Sequence, residues 1–305
     1  MMRMLLLCCL MWTSLVSAQS LPAVSSGRIE RIVVPSKYVD ARNVDVWLPE
    51  GYEAGARHDV LYMHDGQMLF DANTTWNQQA WDVDDTLGRL IKEGRVRDTI
   101  VVGIWNNGKL RHSEYFPQKF LETVDEPMRG RLLADYLQGK PRSDDYLKFL
   151  VEELKPHIDR RYRTHADAAH THLMGSSMGG MISIYAMNEY PGVFGSAAGV
   201  STHWVGIREA NAELPLAGFN YLHAHLADSA DHRLYMDHGT TELDALHATY
   251  QAFVDEIVRD SGYTQANWSS RVFEGAGHNE RDWAKRLETP LLFLLAKPPI
   301  DAPKP

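Results

Sequence analysis

Short apolar runs of β character alternate along this chain with stretches of helical period, and polar residues gather where each run stops. Such alternation implies a mainly parallel sheet covered by helices on both faces, because neighbouring parallel strands need a crossover that packs back onto the sheet. The runs are Asp59 to Met63, Thr99 to Ile104, His172 to Met174, Val193 to Val200, Arg233 to Met236 and Ser270 to Phe273. Arg28 to Val34 and Val44 to Leu48 read as an opening antiparallel pair, turned around Asp40 to Asn43. Between the runs, Tyr146, Phe149, Leu150, Leu154 and Ile158 share one helical stripe that Pro156 should kink or weaken. Leu246, Tyr250, Phe253 and Ile257 form a second stripe, closed by Gly262, and Asp282 to Leu295 a final helix. The expectation is an α/β fold in one domain, residues 28–297, with a proline-rich tail at 298–305.

The start of the chain has a different character. Arg3 precedes the apolar run Met4 to Trp12, and Val16-Ser17-Ala18 follows with small residues, the layout of a secretory signal peptide. The run is too short for a membrane span, so no stable membrane anchor is expected. Cleavage after Ala18 would remove both cysteines, Cys8 and Cys9, leaving 287 residues without a disulfide in the periplasm or medium. Net charge is −9 over 305 residues, and Lys and Arg form no blocks. Such a chain has no electrostatic reason to hold nucleic acid or an anionic lipid surface, so the partner class is a small molecule or a neutral polymer.

Gly175-Ser176-Ser177-Met178-Gly179 satisfies G-x-S-x-G after an apolar run and before the helix-compatible Met181 to Met187. A serine that attacks a carbonyl needs a sharp strand-to-helix turn, and glycines on either side let the backbones approach. Ser177 holds the attacking position. The base must lie downstream, and His278 follows the last strand-like run in Gly275-Ala-Gly-His278. An acid between them would hold the imidazole tautomer; Asp237, Glu242 and Asp244 all occupy the loop after Arg233 to Met236, with Asp237 too early at the strand end. Met178, which follows the serine, and Gln67, in the loop His64-Asp65-Gly66-Gln67, are the candidate oxyanion N–H donors. His223, His225 and His232 lie near Asp228 and Asp231, but their spacing fits no zinc motif and reads as a solvated loop.

With Val60 to Gln67, Arg111 to Tyr115, Gly175 to Gly180, Gly239-Thr240 and Gly275 to His278 in place, the chain resembles the putative-esterase family of α/β-hydrolases over nearly its whole length. That family includes enterochelin, feruloyl and acetyl xylan esterases, S-formylglutathione hydrolases and mycolyltransferases. The resemblance implies an α/β-hydrolase fold, Ser177 as nucleophile, His278 as base and the N–H groups of Gln67 and Met178 as the oxyanion hole. By the Gly-Thr-x-x-Leu-Asp pattern it selects Asp244 as the acid, with Glu242 as the alternative. Enterochelin esterases carry a β-rich domain ahead of the hydrolase, and nothing of that size precedes Arg28. The implied activity is hydrolysis of a carboxylic ester on a saccharide, an aromatic acid or a siderophore, with no metal or organic cofactor. An acyltransferase with the same triad, or a silent binding module on the same scaffold, is the alternative. Trp105, Arg111, Tyr115, His203 and Trp204 follow strand ends and are the expected pocket lining, with packing at a loop base as the equal alternative.

Overall fold

The structure is a computed structural model that describes residues 20–52 and 55–297. The expected leader and the proline-rich tail lie outside the described residues.

Eight strands form one sheet: β1 Arg28–Val34, β2 Arg42–Leu48, β3 Asp59–His64, β4 Thr99–Ile104, β5 Thr171–Ser176, β6 Ser196–Val200, β7 Arg233–Gly239 and β8 Trp268–Phe273. Their order across the sheet is β1-β2-β4-β3-β5-β6-β7-β8. β1 and β2 pair antiparallel, β2 joins β4 antiparallel, and every pairing from β4 to β8 is parallel. The central strands β3, β4 and β5 are buried at every position, which is why they read as continuous apolar runs rather than alternating ones. Their side chains still divide by the two-residue period of a strand. Val60, Tyr62, Ile100, Val102 and Leu173 enter the larger core on one face, while Leu61, Met63, Val101 and Met174 enter the core on the other.

The order places the site. From β3 the chain crosses to β4 on one side and later returns to β5 on the other, so the direction of winding reverses between β3 and β5. At such a reversal the loops leaving the two strands diverge and open a crevice at their carboxyl ends. The loop after β3 carries Asp65 to Gln67, and the turn after β5 carries Ser177.

Three helical expectations need correction. The stripe around Tyr146 is an α-helix at Ser143–Lys148, a π-helical stretch at Phe149–Leu154 and an α-helix at Lys155–Arg161. Pro156 sits in the first turn of the last segment, where a missing N–H costs little, and the wider π-helical turns lie directly before that segment. In the helix Ala248–Asp260 the buried positions are Gln251, Val254, Ile257 and Val258, whereas Phe253 is exposed. The inward face is therefore rotated from the stripe drawn through Phe253. The last helix divides into Glu280–Arg286 and Glu288–Leu295 at Leu287, since Pro290 cannot donate to the carbonyl of Arg286. Among the described residues no helix is long and apolar enough to cross a membrane.

Candidate functional site

β5 ends at Ser176, and the helix Met178–Glu189 begins two residues later, so Ser177 carries the whole reversal of direction. Its backbone sits at φ 56° and ψ −123°, a conformation L-residues rarely adopt and one that costs of order 1–3 kcal/mol. The Ser177 N–H donates to the Val200 carbonyl at 2.9 Å, and its own carbonyl accepts from the Gly180 N–H at 3.1 Å, which holds the turn. Its hydroxyl makes no capping bond to the helix, so it is not consumed by local structure. The flanking glycines answer to close approach: a Cβ on Gly175 would lie 2.5 Å from the Gly179 backbone. The first two N–H groups of the helix, those of Met178 and Gly179, have no intrahelical acceptor.

The loop after β3 is anchored from below. Asp65 takes a left-handed conformation at φ 58° and starts the short 3-10 turn Gly66–Met68. Arg111 clamps its carboxylate with two bonds of 2.7 Å, and Asn106 Nδ2 adds a third at 2.7 Å. Burial alone would raise the Asp65 pKa, but Arg111 and Asn106 bring it below the usual carboxylate range, so it stays charged. The Asp65 N–H donates to the Tyr115 hydroxyl at 3.3 Å. The position of Gln67 is thus set by a part-buried ion pair rather than by loop chemistry alone.

The third part comes from the loops after β7 and β8. His278 Nδ1 meets Asp244 Oδ1 at 2.6 Å. Asp244 is fully buried, and its other oxygen accepts from the Ser201 hydroxyl at 2.6 Å and from the Gly239 N–H at 2.6 Å. His247 Nδ1 lies 3.4 Å from Oδ1. Burial would push the Asp244 pKa up, but hydrogen bonds from His247, His278 and Ser201 hold it far below the usual carboxylate range. Glu242 plays a different part: its Oε2 accepts the backbone N–H of His278 at 2.9 Å, holding the loop and not the ring. Asp237 lies deeper, bonded to Arg286, to the Ser201 N–H and to the Tyr235 hydroxyl.

Ser201 links these layers. It sits at φ 46° just beyond β6, and its hydroxyl accepts from Arg286 Nη2 at 2.7 Å and Trp283 Nε1 at 3.0 Å while donating to Asp244. The guanidinium of Arg286 is 3.7 Å from Asp244 and 4% of the residue is exposed, so a buried cation stands behind the acid. Neither Arg286 nor the role of Ser201 carried a sequence signal. Arg286 is one of many basic residues on helices, and its burial depends on how the last helices dock.

Ser177, His278, Gln67, Arg111 and Asn106 line one cleft of about 560 Å³. No hydrogen bond joins the Ser177 hydroxyl to the His278 ring, a contact that commonly tightens only around substrate. Of the other expected lining residues, Trp105 faces an adjoining groove. Arg111 reaches the cleft wall with its guanidinium committed to Asp65. His203 is buried beneath, 3.4 Å from His247, and burial followed by its histidine neighbours pushes its pKa well down. The structure does not bring Tyr115 or Trp204 to the cleft. Tyr115 is sealed against His64 and Tyr146, and Trp204 is buried with its indole N–H on Gln251 Oε1 at 2.9 Å. Both follow strand ends, but their rings pack into the larger core instead. His232, read as solvated, is buried between the carbonyls of Asp228 and Pro191.

Among the described residues two groups have metal-ligand spacing: Asp59, His165 and His170, and Asp244, His247 and His278. In the second, both Asp244 oxygens are already filled by protein donors, which suits a carboxylate that orients the His278 ring better than one that holds a cation.

Comparison with known proteins agrees with this architecture. A ferulic acid esterase structure is similar with a TM-score of 0.64 at 20% identity, covering 88% of this chain and 97% of that one. The enterobactin esterase FES of Shigella flexneri, solved in the presence of enterobactin, is similar with a TM-score of 0.63 at 18% identity, covering 91% of this chain and 60% of that one. At these identities the likeness is one of fold. In sequence, the uncharacterized protein YbbA of Bacillus subtilis is 22% identical over 266 residues, 84% of this chain and 93% of the relative. Residues 37–294 match the model of the family described as "Putative esterase", so the chain belongs to that family and is a carboxylic ester hydrolase.

Proposed function

We propose that the protein hydrolyses its ester through Ser177, His278 and Asp244 with a covalent acyl-enzyme. The observation that carries this reading is the 2.6 Å bond between His278 Nδ1 and the buried Asp244, at a cleft that also holds the strained, uncapped Ser177. Asp244 keeps the Nδ1 proton in place, which leaves Nε2 free to take the Ser177 proton. The Ser177 Oγ forms a bond to the carbonyl carbon, and the carbonyl electron pair moves onto oxygen. That oxyanion rests on the N–H groups of Met178, at a helix N-terminus, and of Gln67. The carbon–oxygen bond to the alcohol breaks as His278 returns the proton to the leaving oxygen. Water, deprotonated by the same ring, then releases the acid.

The test is hydrolysis of p-nitrophenyl acetate, butyrate and octanoate by the protein beside Ser177→Ala. The parent rate should collapse by at least about 10³-fold in the variant while its unfolding temperature is kept. Equal rates, with no labelling of the parent by a fluorophosphonate, would overturn the assignment. We further propose that the chain is exported and loses residues 1–18, which the intact mass of protein from the periplasm or medium would reveal.

A further inference from the structure

Asp244 faces two imidazoles. His278, which lines the cleft, meets its Oδ1 at 2.6 Å, and His247 Nδ1 lies 3.4 Å from the same oxygen. The two rings stand edge to face, 5.6 Å apart with 76° between their planes. His247 is 1% exposed, and its buried Nδ1 has no hydrogen-bond partner elsewhere among the described residues. A buried nitrogen held at that distance from a carboxylate is costly, and an apolar side chain would fill the same space without the cost.

The tautomer of His247 follows from what flanks it. Its Nε2 is bonded at 3.4 Å to Nδ1 of His203, which is also buried. In a neutral imidazole one nitrogen donates and the other accepts. With the proton on Nε2, the Nδ1 lone pair would point at a carboxylate that stays charged. With the proton on Nδ1, His247 donates toward Asp244, and its Nε2 accepts from His203 Nδ1–H. Only the second arrangement sets a donor against an acceptor at both contacts. Burial pushes His203 and His247 below the ordinary histidine range, so both rings stay neutral and add no charge beside His278. The layer also touches the turn at Ser177, whose carbonyl accepts the His203 backbone N–H at 3.3 Å. The other titratable or charged groups around it are His238 beside His247, Arg111 and His112 beside His203, Arg286 behind Asp244 and Glu242 at the His278 backbone.

We infer that His247, backed by His203, is a positioning residue: a second, neutral donor on Asp244 Oδ1 that limits how tightly the carboxylate holds the His278 proton. The inference rests on the proposed roles of Asp244 and His278. A donor draws negative charge from the carboxylate, so the imidazolium form of His278 gains less from its partner. The ring therefore stays unprotonated, as a base must, to lower pH.

The test reads the acidic limb of the kcat/KM profile for p-nitrophenyl acetate in the parent, His247→Leu, His247→Gln and His247→Asn. An asparagine amide nitrogen takes the place of Nδ1 and keeps the donor to Asp244. A glutamine amide nitrogen takes the place of Nε2 and faces His203, and leucine has neither. In the leucine and glutamine variants the limb should move to higher pH by about 0.5–1 unit, the scale of one hydrogen bond, while in the asparagine variant it stays within about 0.2 unit of the parent. Glutamine carries the test where leucine does not fold, and unfolding temperatures are measured on all three. The same shifts should appear when the His278 ring is titrated by NMR of its nitrogens in the Ser177→Ala background, which needs no turnover. A limb and a titration that stay put in the leucine and glutamine variants would overturn the assignment. So would an equal shift in the asparagine variant, which would make His247 a packing residue. Failure of the nucleophile reading would show separately, as p-nitrophenyl acetate hydrolysis that survives Ser177→Ala.

Discussion

Replacing Asp244 by Asn tests the site where two neighbouring acids compete. Asp244 receives donors on both oxygens: His278 on Oδ1, with His247 Nδ1 3.4 Å away, and Ser201 and the Gly239 N–H on Oδ2. An asparagine has one acceptor oxygen. If its amide nitrogen takes the Oδ2 place it faces the Gly239 N–H, which cannot rotate away. If it takes the Oδ1 place it donates to His278 Nδ1, forcing the proton to Nε2 and leaving Ser177 without a base. The first arrangement strands a buried donor at about 1–3 kcal/mol. The second is therefore favoured and should lower kcat by about 10⁴, equivalent to about 5.5 kcal/mol of barrier, with KM little changed. Unfolding should shift by a few degrees, since about 1 kcal/mol moves Tm by about 2–4 °C at this size. Glu242→Gln is the matched comparison: a glutamine Oε1 still accepts the His278 backbone N–H, so kcat should stay within about threefold. The assay is steady-state hydrolysis of p-nitrophenyl acetate on both variants, with thermal unfolding alongside. A larger loss in Glu242→Gln than in Asp244→Asn, or retention of a tenth of kcat by Asp244→Asn, would refute the reasoning.

Other perturbations follow from the same geometry. Ser201→Ala removes a donor from Asp244 and an acceptor from Arg286 and Trp283, so kcat should fall by about 10–100-fold and stability by about 2–4 kcal/mol; a variant matching the parent in both would show the buried link to be idle. Gly175→Ala places a Cβ 2.5 Å from the Gly179 backbone and should cost at least about 3 kcal/mol in urea unfolding, with activity lost even where the variant folds. Burial pushes His64 and His112 each down to about 4. Between pH 6.5 and about 4 the unfolded chain binds protons at these positions that the folded chain does not. Stability from these two groups is thus complete above pH 6.5 and falls with acid by up to about 1.4 kcal/mol per pH unit for each. Urea midpoints at pH 7, 5.5 and 4.5 should decline accordingly, and a flat profile would contradict the neutral buried state.

Some of this protein is legible without coordinates. The eight strand-like runs match the eight strands because burial on one or both faces imposes a period of two or an unbroken apolar run, and both are local signals. Helix positions were less readable. A stripe through Phe253 and one through Gln251 differ by one small rotation, and only the docked neighbours select the inward face. A proline breaks a helical pattern in sequence, yet Pro156 sits in the first turn of a helix that directly follows π-helical turns.

The site divides along the same line. Ser177 and His278 stand out as candidates because a sharp strand-to-helix turn demands glycines at set spacing and because chain order limits the partner. Asp244 and Glu242 sit two residues apart, so no local pattern of charge separates them. Which one faces the ring depends on where the loop after β8 places His278, a contact across 34 residues of chain. Ser201, Arg286 and His247 gave no signal, since a serine, an arginine and a histidine acquire their roles only from burial and from the docking of loops and helices. Sequence alone therefore determined the sheet and the sharp strand-to-helix turn at Ser177, because periodicity and backbone conformation are local. Which carboxylate meets the His278 ring, the cation behind it and the shape of the cleft came from tertiary structure, because each depends on distances between residues that are remote in the chain.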